Sequence, residues 1–171
     1  MGRARTVRLI MDSRAAVIAG LVAGILTMLL WMTLGALATG GSLWAPLLHA
    51  AAILMGEDVL TPSQTLDFQA VVTGSVVHLL LSLVYALILA FIIHRWGLVV
   101  GIIGGALFGV ALYLINYFTL TMLFPWFYPL RSWFALLGHI FFGAAAGGIY
   151  ELLERDIYVA DERRMGAGVP E

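Results

Sequence analysis

Three polar side chains fall inside apolar runs of this sequence, and those positions give them the strongest claim to chemistry. His78 lies in VVHLLLSLVYALILA, His139 in WFALLGHIFFGAAAGGIY and Asn116 in ALYLINYF. Imidazole changes charge near neutral pH and serves as proton relay, metal ligand or hydrogen-bond partner. An ionisable group inside a membrane segment is expensive to bury and marks a functional site by default.

Helical spacing sets where these groups point. Gly74, His78, Ser82 and Tyr85 recur at i, i+4, i+8 and i+11, and so do His139, Gly143, Gly147 and Tyr150, so each histidine shares a face with small residues. At about 1.5 Å rise per residue, His78 lies roughly 12 Å and His139 roughly 10 Å below the outer ends of their helices, with Asn116 about 10 Å below its own. The three are expected to meet as a polar cluster in the outer leaflet.

Several chemistries suit such a cluster. Neutral histidines can act as interhelical glue, satisfied by Asn116, Ser75, Ser82 or backbone carbonyls. Two inward imidazoles at one depth, on neighbouring helices with glycine stripes beside them, also fit bis-histidine ligation of a b-type haem by His78 and His139. A mononuclear metal would need His49 to fold in as a third ligand from an outer loop, so no metal site is assigned. Proton relay or substrate binding completes the set, and no residue is assigned a catalytic role.

The elements that must hold the cluster are membrane helices. Of the 171 residues 62% are hydrophobic and only 11% charged, with mean hydropathy +1.00, where soluble domains carry roughly a quarter charged residues. Four runs, near 15–39, 70–94, 97–123 and 133–153, match the roughly 20 residues needed to cross a hydrocarbon core. The first follows GRARTVR and ends near an Ala-Leu-Ala that resembles a cleavage site, but it is longer than a signal peptide's apolar region and is expected to be a retained helix. Without cysteine, thiolate chemistry and disulfides are excluded. A net charge of -1 argues against nucleic acid as a partner.

All nine basic residues are arginine. Arg3, Arg5, Arg8 and Arg14 precede the first run, Arg95 lies between the second and third, and Arg155, Arg163 and Arg164 follow the fourth. The opposite side carries only Arg131, with Glu57, Asp58 and Asp67. Both termini are therefore expected in the cytoplasm. The fold class expected is all-α: a single integral membrane four-helix bundle, N-in and C-in, with outer loop 40–69 and a cytoplasmic tail 154–171.

The short HRWG turn predicts a tight antiparallel hairpin of the second and third helices. Residues 43–55 of the outer loop are apolar but too short to span, which suggests an interfacial or re-entrant helix. Thr61-Pro62-Ser63 then breaks the chain ahead of the second long helix. GLVAGILTMLLWMTLG in the first helix resembles GLVVGIIGGALFGVALYLINYF in the third; each precedes a Trp/Pro-bearing loop (SLWAPLL, FPWFYPL) and a helix with one early histidine. This predicts a tandem two-helix repeat about an axis along the membrane normal.

Glycine stripes at Gly20/Gly24, Gly97/Gly101/Gly105/Gly109 and Gly143/Gly147 predict close helix packing, within the chain or against other membrane subunits or further copies. Trp31, Trp44, Trp96, Trp126, Trp133, Tyr128 and Tyr158 are expected as interfacial anchors, and His94 as an interface marker. Arg131, between aromatics, suits a lipid headgroup, a partner's carboxylate or stacking on Trp133. The mixed-charge segment from Glu151 to Arg164 is expected as a solvated helix end, with GAGVPE as a loose tail.

No Walker A loop, GxSxG elbow, HExxH or paired intramembrane carboxylates occur, so ordinary hydrolytic and ATP-driven chemistry has no residues here. The run LFPWFYPLRSWFALLGHIFFGAAAGGIY, with ALYLINYF and VVHLLLSLVYALILA, resembles a group of small bacterial four-helix membrane proteins that sometimes carry an automatic label of sodium:proline symporter. The resemblance spans most of the chain and implies the fold and a bacterial inner-membrane location. Three function classes follow: a non-catalytic accessory subunit of a larger inner-membrane complex, which the small size and glycine faces favour; a haem b electron carrier; and a small oligomeric transporter or channel.

Overall fold

The computed structural model describes residues 7–61, 66–94, 96–155 and 157–160. Five helices dominate: α1 (Ser13–Thr39), α2 (Ala45–Met55), α3 (Phe68–Ile93), α4 (Leu98–Leu114) and α5 (Trp133–Leu153). Helices α1, α3 and α5, and α4 with its continuation to Met122, are long and apolar enough to cross a membrane. This is the expected helical bundle, and the four apolar spans mark a multi-pass membrane protein whose outward side chains contact the bilayer.

Local chemistry sets the boundaries. The Asp12 carboxylate accepts from the N–H groups of Arg14 and Ala15 to cap α1, Asp67 accepts from Ala70 to cap α3, and the Ser132 hydroxyl accepts from Ala135 to cap α5. Each cap satisfies a backbone donor that the helix cannot. Gly40 ends α1 in the left-handed region at φ 64°, where a side chain would be strained. The run expected at 70–94 thus begins two residues earlier, at Phe68. Of the Thr61-Pro62-Ser63 break, Pro62 and Ser63 lie outside the described residues.

Packing departs from the expected hairpin. Helices α3 and α4 are adjacent in the chain yet touch little; α4 packs mainly on α5, and α3 on α1 and α2. Glycine decides this. A Cβ on Gly105 would collide with the Gly143 backbone, one on Gly147 with Gly101, and one on Gly109 with His139. On the other pair, a Cβ on Gly20 or Gly24 would meet Ala86 or Ser82. Such contacts need bare backbone, and helices in lipid associate through this kind of close packing.

The two glycine-sealed pairs, α1/α3 and α4/α5, are the two helix pairs that the sequence match sets side by side as an expected repeat. Their structural register is one turn away from the sequence match: Gly20 and Gly24 play the parts of Gly101 and Gly105, not of Gly97 and Gly101. Gly97 falls outside the stripe because it precedes α4 at φ 79°, and nothing lies within 4 Å of its Cβ position. The halves also close unequally, since α1 packs on α5 far more than α3 does on α4.

Two further elements were not legible as such. Val7–Ile10 (β1) pairs antiparallel with Ile157–Ala160 (β2), Val7 opposite Ala160 and Ile10 opposite Ile157, so the two ends of the bundle meet on one face. The Arg155 N–H also donates to Asp12 at 3.3 Å. The segment expected as a solvated helix end is therefore tied to the start of α1, while Arg163, Arg164 and GAGVPE lie outside the described residues. Secondly, the run expected as one helix over 97–123 changes pitch: a π-helical turn covers Ile115–Thr119 and a 3-10 turn Leu120–Met122.

Helix α2 fills the outer loop two residues later than the apolar run suggested. It is packed in, with Leu47, Ala51 and Ala52 buried, and a Cβ on Gly74 of α3 would strike the Leu47 carbonyl.

Candidate functional site

The main buried cluster gathers Ala15, Ala16, Ala19, Ala23, Ala86, Leu89, Ala90, Ile93, Ala146 and Tyr150 in the half of the bundle that holds the start of α1 and the end of α5, and reaches Leu112 and Phe142 at the edge of the other half. In the other half the helices part around a cavity of about 540 Å³. Its walls come from the second half of α1, from α2, from the middle of α3 between His78 and Tyr85, from the end of α4 and its π turn, from residues 124–130 and from the start of α5. Among the described residues no Asp, Glu, Arg or Lys lines it.

The predicted polar cluster is here: His78, Asn116 and His139 all line the cavity. Asn116 and His139 bond directly. The His139 Nδ1–H donates to the Ala135 carbonyl at 2.8 Å, which leaves Nε2 to accept from Asn116 Nδ2 at 3.2 Å. Asn116 Oδ1 in turn accepts the Tyr85 hydroxyl at 3.3 Å, so the chain of bonds crosses from α5 through the π turn to α3. His78 turns away from this chain; its Nε2–H donates to the Gly24 carbonyl of α1 at 2.9 Å. Ser75 and Ser82, expected as imidazole partners, instead return their hydroxyls to Val71 and His78 carbonyls of their own helix.

These bonds fix the chemistry of the two rings. Each acts as a neutral imidazole with one nitrogen donating to a carbonyl. A bis-imidazole haem would need one uncommitted nitrogen from each ring; His78 keeps Nδ1, but both nitrogens of His139 are already engaged, by Ala135 and Asn116. Among the described residues no three His, Cys, Asp or Glu side chains come together as a metal-binding group. His49 lines the cavity from α2, and burial lowers its pKa below the ordinary 6.5, so it too is neutral at pH 7.

The π turn explains why Asn116 reaches the cavity. Widening to an i to i−5 bond, Leu120 N–H to Ile115 O, inserts an extra residue into the turn, and such insertions are frequent at functional sites. Arg131 holds the turn: its Nε donates to the Tyr117 carbonyl at 2.6 Å and its Nη2 to the Thr121 hydroxyl at 3.0 Å. The guanidinium lies 4.0 Å over the Tyr128 ring and 4.3 Å over Phe118. The expected stacking is thus real but on these two rings, not on Trp133, which is exposed at the start of α5. A cation at the carbonyl end of a helix is favourable as well.

Two aromatic anchors take other roles. Trp31 lines the cavity edge-on to Phe134 at 4.4 Å, and a Cβ on Gly138 would fall within its indole. Trp126 packs on Phe124 at 5.7 Å, with its indole N–H buried and unpartnered. Thr27, Trp31, Tyr85 and Gly138 were not singled out for the site from sequence. Tyr85 had a signal, since it shares the His78 face.

A scan of family models and searches of curated proteins and of solved structures found no match. Nothing in them bears on the symporter label that the sequence resemblance carries.

Proposed function

We propose that this chain is a membrane-embedded binding protein for a small, uncharged and largely apolar molecule. The observation that carries this reading is the cavity itself, about 540 Å³, lined mainly by apolar and aromatic side chains with a few convergent neutral polar groups. Ligand sites generally have this composition and fall within roughly 300–1,000 Å³. The uncharged walls favour a neutral occupant, since a lone charge would lack compensation there.

The arginine distribution supports cytoplasmic termini, which would put the cavity in the outer half of the bilayer; the bacterial inner membrane is the location that the sequence resemblance implies. An accessory-subunit role, favoured on size and glycine faces, draws no specific support from the arrangement: the glycine stripes are consumed inside the chain. A haem carrier would have to break the bond between His139 and Asn116, and a transporter would need a path past the sealed half.

Mass spectrometry of organic extracts from protein purified in its native lipid tests the proposal. One amphiphile should be enriched over bulk lipid in the wild type and depleted in Ala50→Trp, which places a large ring in the cavity from α2. Identical lipid profiles in the two proteins would count against a binding role.

A further inference from the structure

Thr27 lines the cavity and is only 4% exposed, yet its hydroxyl has no hydrogen-bond partner. A helical threonine usually returns its hydroxyl to a carbonyl three or four residues back. Thr33 does so to Leu29 at 2.8 Å and Thr121 to Tyr117 at 3.2 Å. Thr27 departs from this pattern, and a buried hydroxyl without a partner is unfavourable.

A second unmatched group is beside it. His78 gives its Nε2–H to the carbonyl of Gly24, one helical turn before Thr27 on α1, and both side chains line the cavity. With Nε2 protonated, Nδ1 is an acceptor. Among the described residues nothing donates to it. The lining thus carries a hydroxyl and an acceptor nitrogen anchored one helical turn apart, among side chains that include Met28, Leu81, Ser82 and Phe142.

The matching ligand group both accepts and donates at one atom. An alcohol or phenol oxygen does so: it takes the Thr27 proton and gives its own to His78 Nδ1. A carbonyl or ether oxygen only accepts and would leave the imidazole unmatched. We infer that the occupant is a neutral amphiphile ending in a hydroxyl, held at Thr27 and His78. This rests on reading the cavity as a binding site.

The test compares a radiolabelled long-chain primary alcohol with its methyl ether, by equilibrium retention on the full chain in lipid nanodiscs, against empty discs. Wild type should retain the alcohol roughly three- to tenfold better than the ether, the range expected for one neutral hydrogen bond. Thr27→Val, nearly isosteric, should lower retention of both probes, which share the Thr27 bond, and Thr27→Ser should restore it; His78→Phe, which removes the acceptor nitrogen, should abolish the preference. Equal retention of alcohol and ether by the wild type would overturn the hydroxyl assignment and leave the binding role standing. A preference that survives His78→Phe, or retention of both probes unmoved by Thr27→Val, would overturn the placement. Retention of neither probe above empty discs would remove the binding role together with the inference.

Discussion

The two halves of the bundle solve helix association in opposite ways. Near the termini, α4 and α5 meet backbone to backbone through glycine, and alanines fill the seam between α1 and α3. Toward the other end, the bundle opens around aromatic rings and a short chain of neutral hydrogen bonds, although Gly109 still meets the His139 backbone there. Small residues close a membrane bundle; larger side chains with paired polar tips hold it open. The contrast shows that one stripe pattern in sequence, small residue with histidine, encodes a dry seam at one depth and a hollow at another.

One substitution made in both halves gives the sharpest test of this contrast and the largest effect. Gly105→Ala forces a Cβ into the Gly143 carbonyl, where neither backbone has room to move. It should cost about 3 kcal/mol or more, as severe overpacking does. Gly35→Ala, on the cavity side, has nothing within 4 Å of its Cβ and should be neutral or gain up to about 1 kcal/mol from helix propensity. Denaturation in detergent micelles measures both; equal losses would erase the distinction between the halves.

Next in size is Arg131, which keeps the open half in shape. Arg131→Met removes two hydrogen bonds from a charged donor and two ring contacts, and should lower unfolding free energy by about 2 kcal/mol. Arg131→Lys should recover only part, because an ammonium cannot reproduce the planar fork. Full stability in Arg131→Met would mean the π turn holds itself.

How much of this was legible depends on the range of the interaction. Apolar length and the four-residue spacing of His78 and His139 fixed the helices and the inward faces, because both are properties of a single helix. Which helix packs on which was not readable: Gly105 and Gly143 are partners through a backbone approach that no local pattern names. The π turn was hidden because ALYLINYF continues the helical periodicity, and its cause, Arg131, lies beyond two prolines in another segment. Thr27 escaped notice since a threonine in an apolar helix normally bonds its own backbone, and only the structure shows that it does not. The pairing of 7–10 with 157–160 joins the two ends of the chain, a separation over which periodicity carries no information.

A smaller effect should follow from breaking the polar chain. Asn116→Ala leaves His139 Nε2 and the Tyr85 hydroxyl without their partner, and interhelical hydrogen bonds in membranes average about 0.6 kcal/mol with upper values near 1.7. A loss of about 1 kcal/mol is expected. Repeating the change in a Tyr85→Phe background should give a smaller loss, since the two groups share one bond. Strict additivity would show that the bond contributes nothing.

The smallest effect is the one with a distinct pH signature, and it separates α2 from the rest of the cavity wall. Burial holds His49 below its ordinary pKa of 6.5, so the fold favours the neutral ring and the unfolded chain binds the proton more readily. Above about pH 6.5 both states are neutral and His49 imposes no penalty. As pH falls below that value the unfolded state gains the proton first, and stability declines until the lowered folded value is passed. His49→Gln, which keeps polarity without titrating, should flatten this part of the stability profile between pH 7 and 5 and leave the plateau above pH 7 nearly unchanged. Should the acid slope persist in His49→Gln, α2 would not be where the open half senses protons, and the slope would have to come from a group elsewhere in the chain.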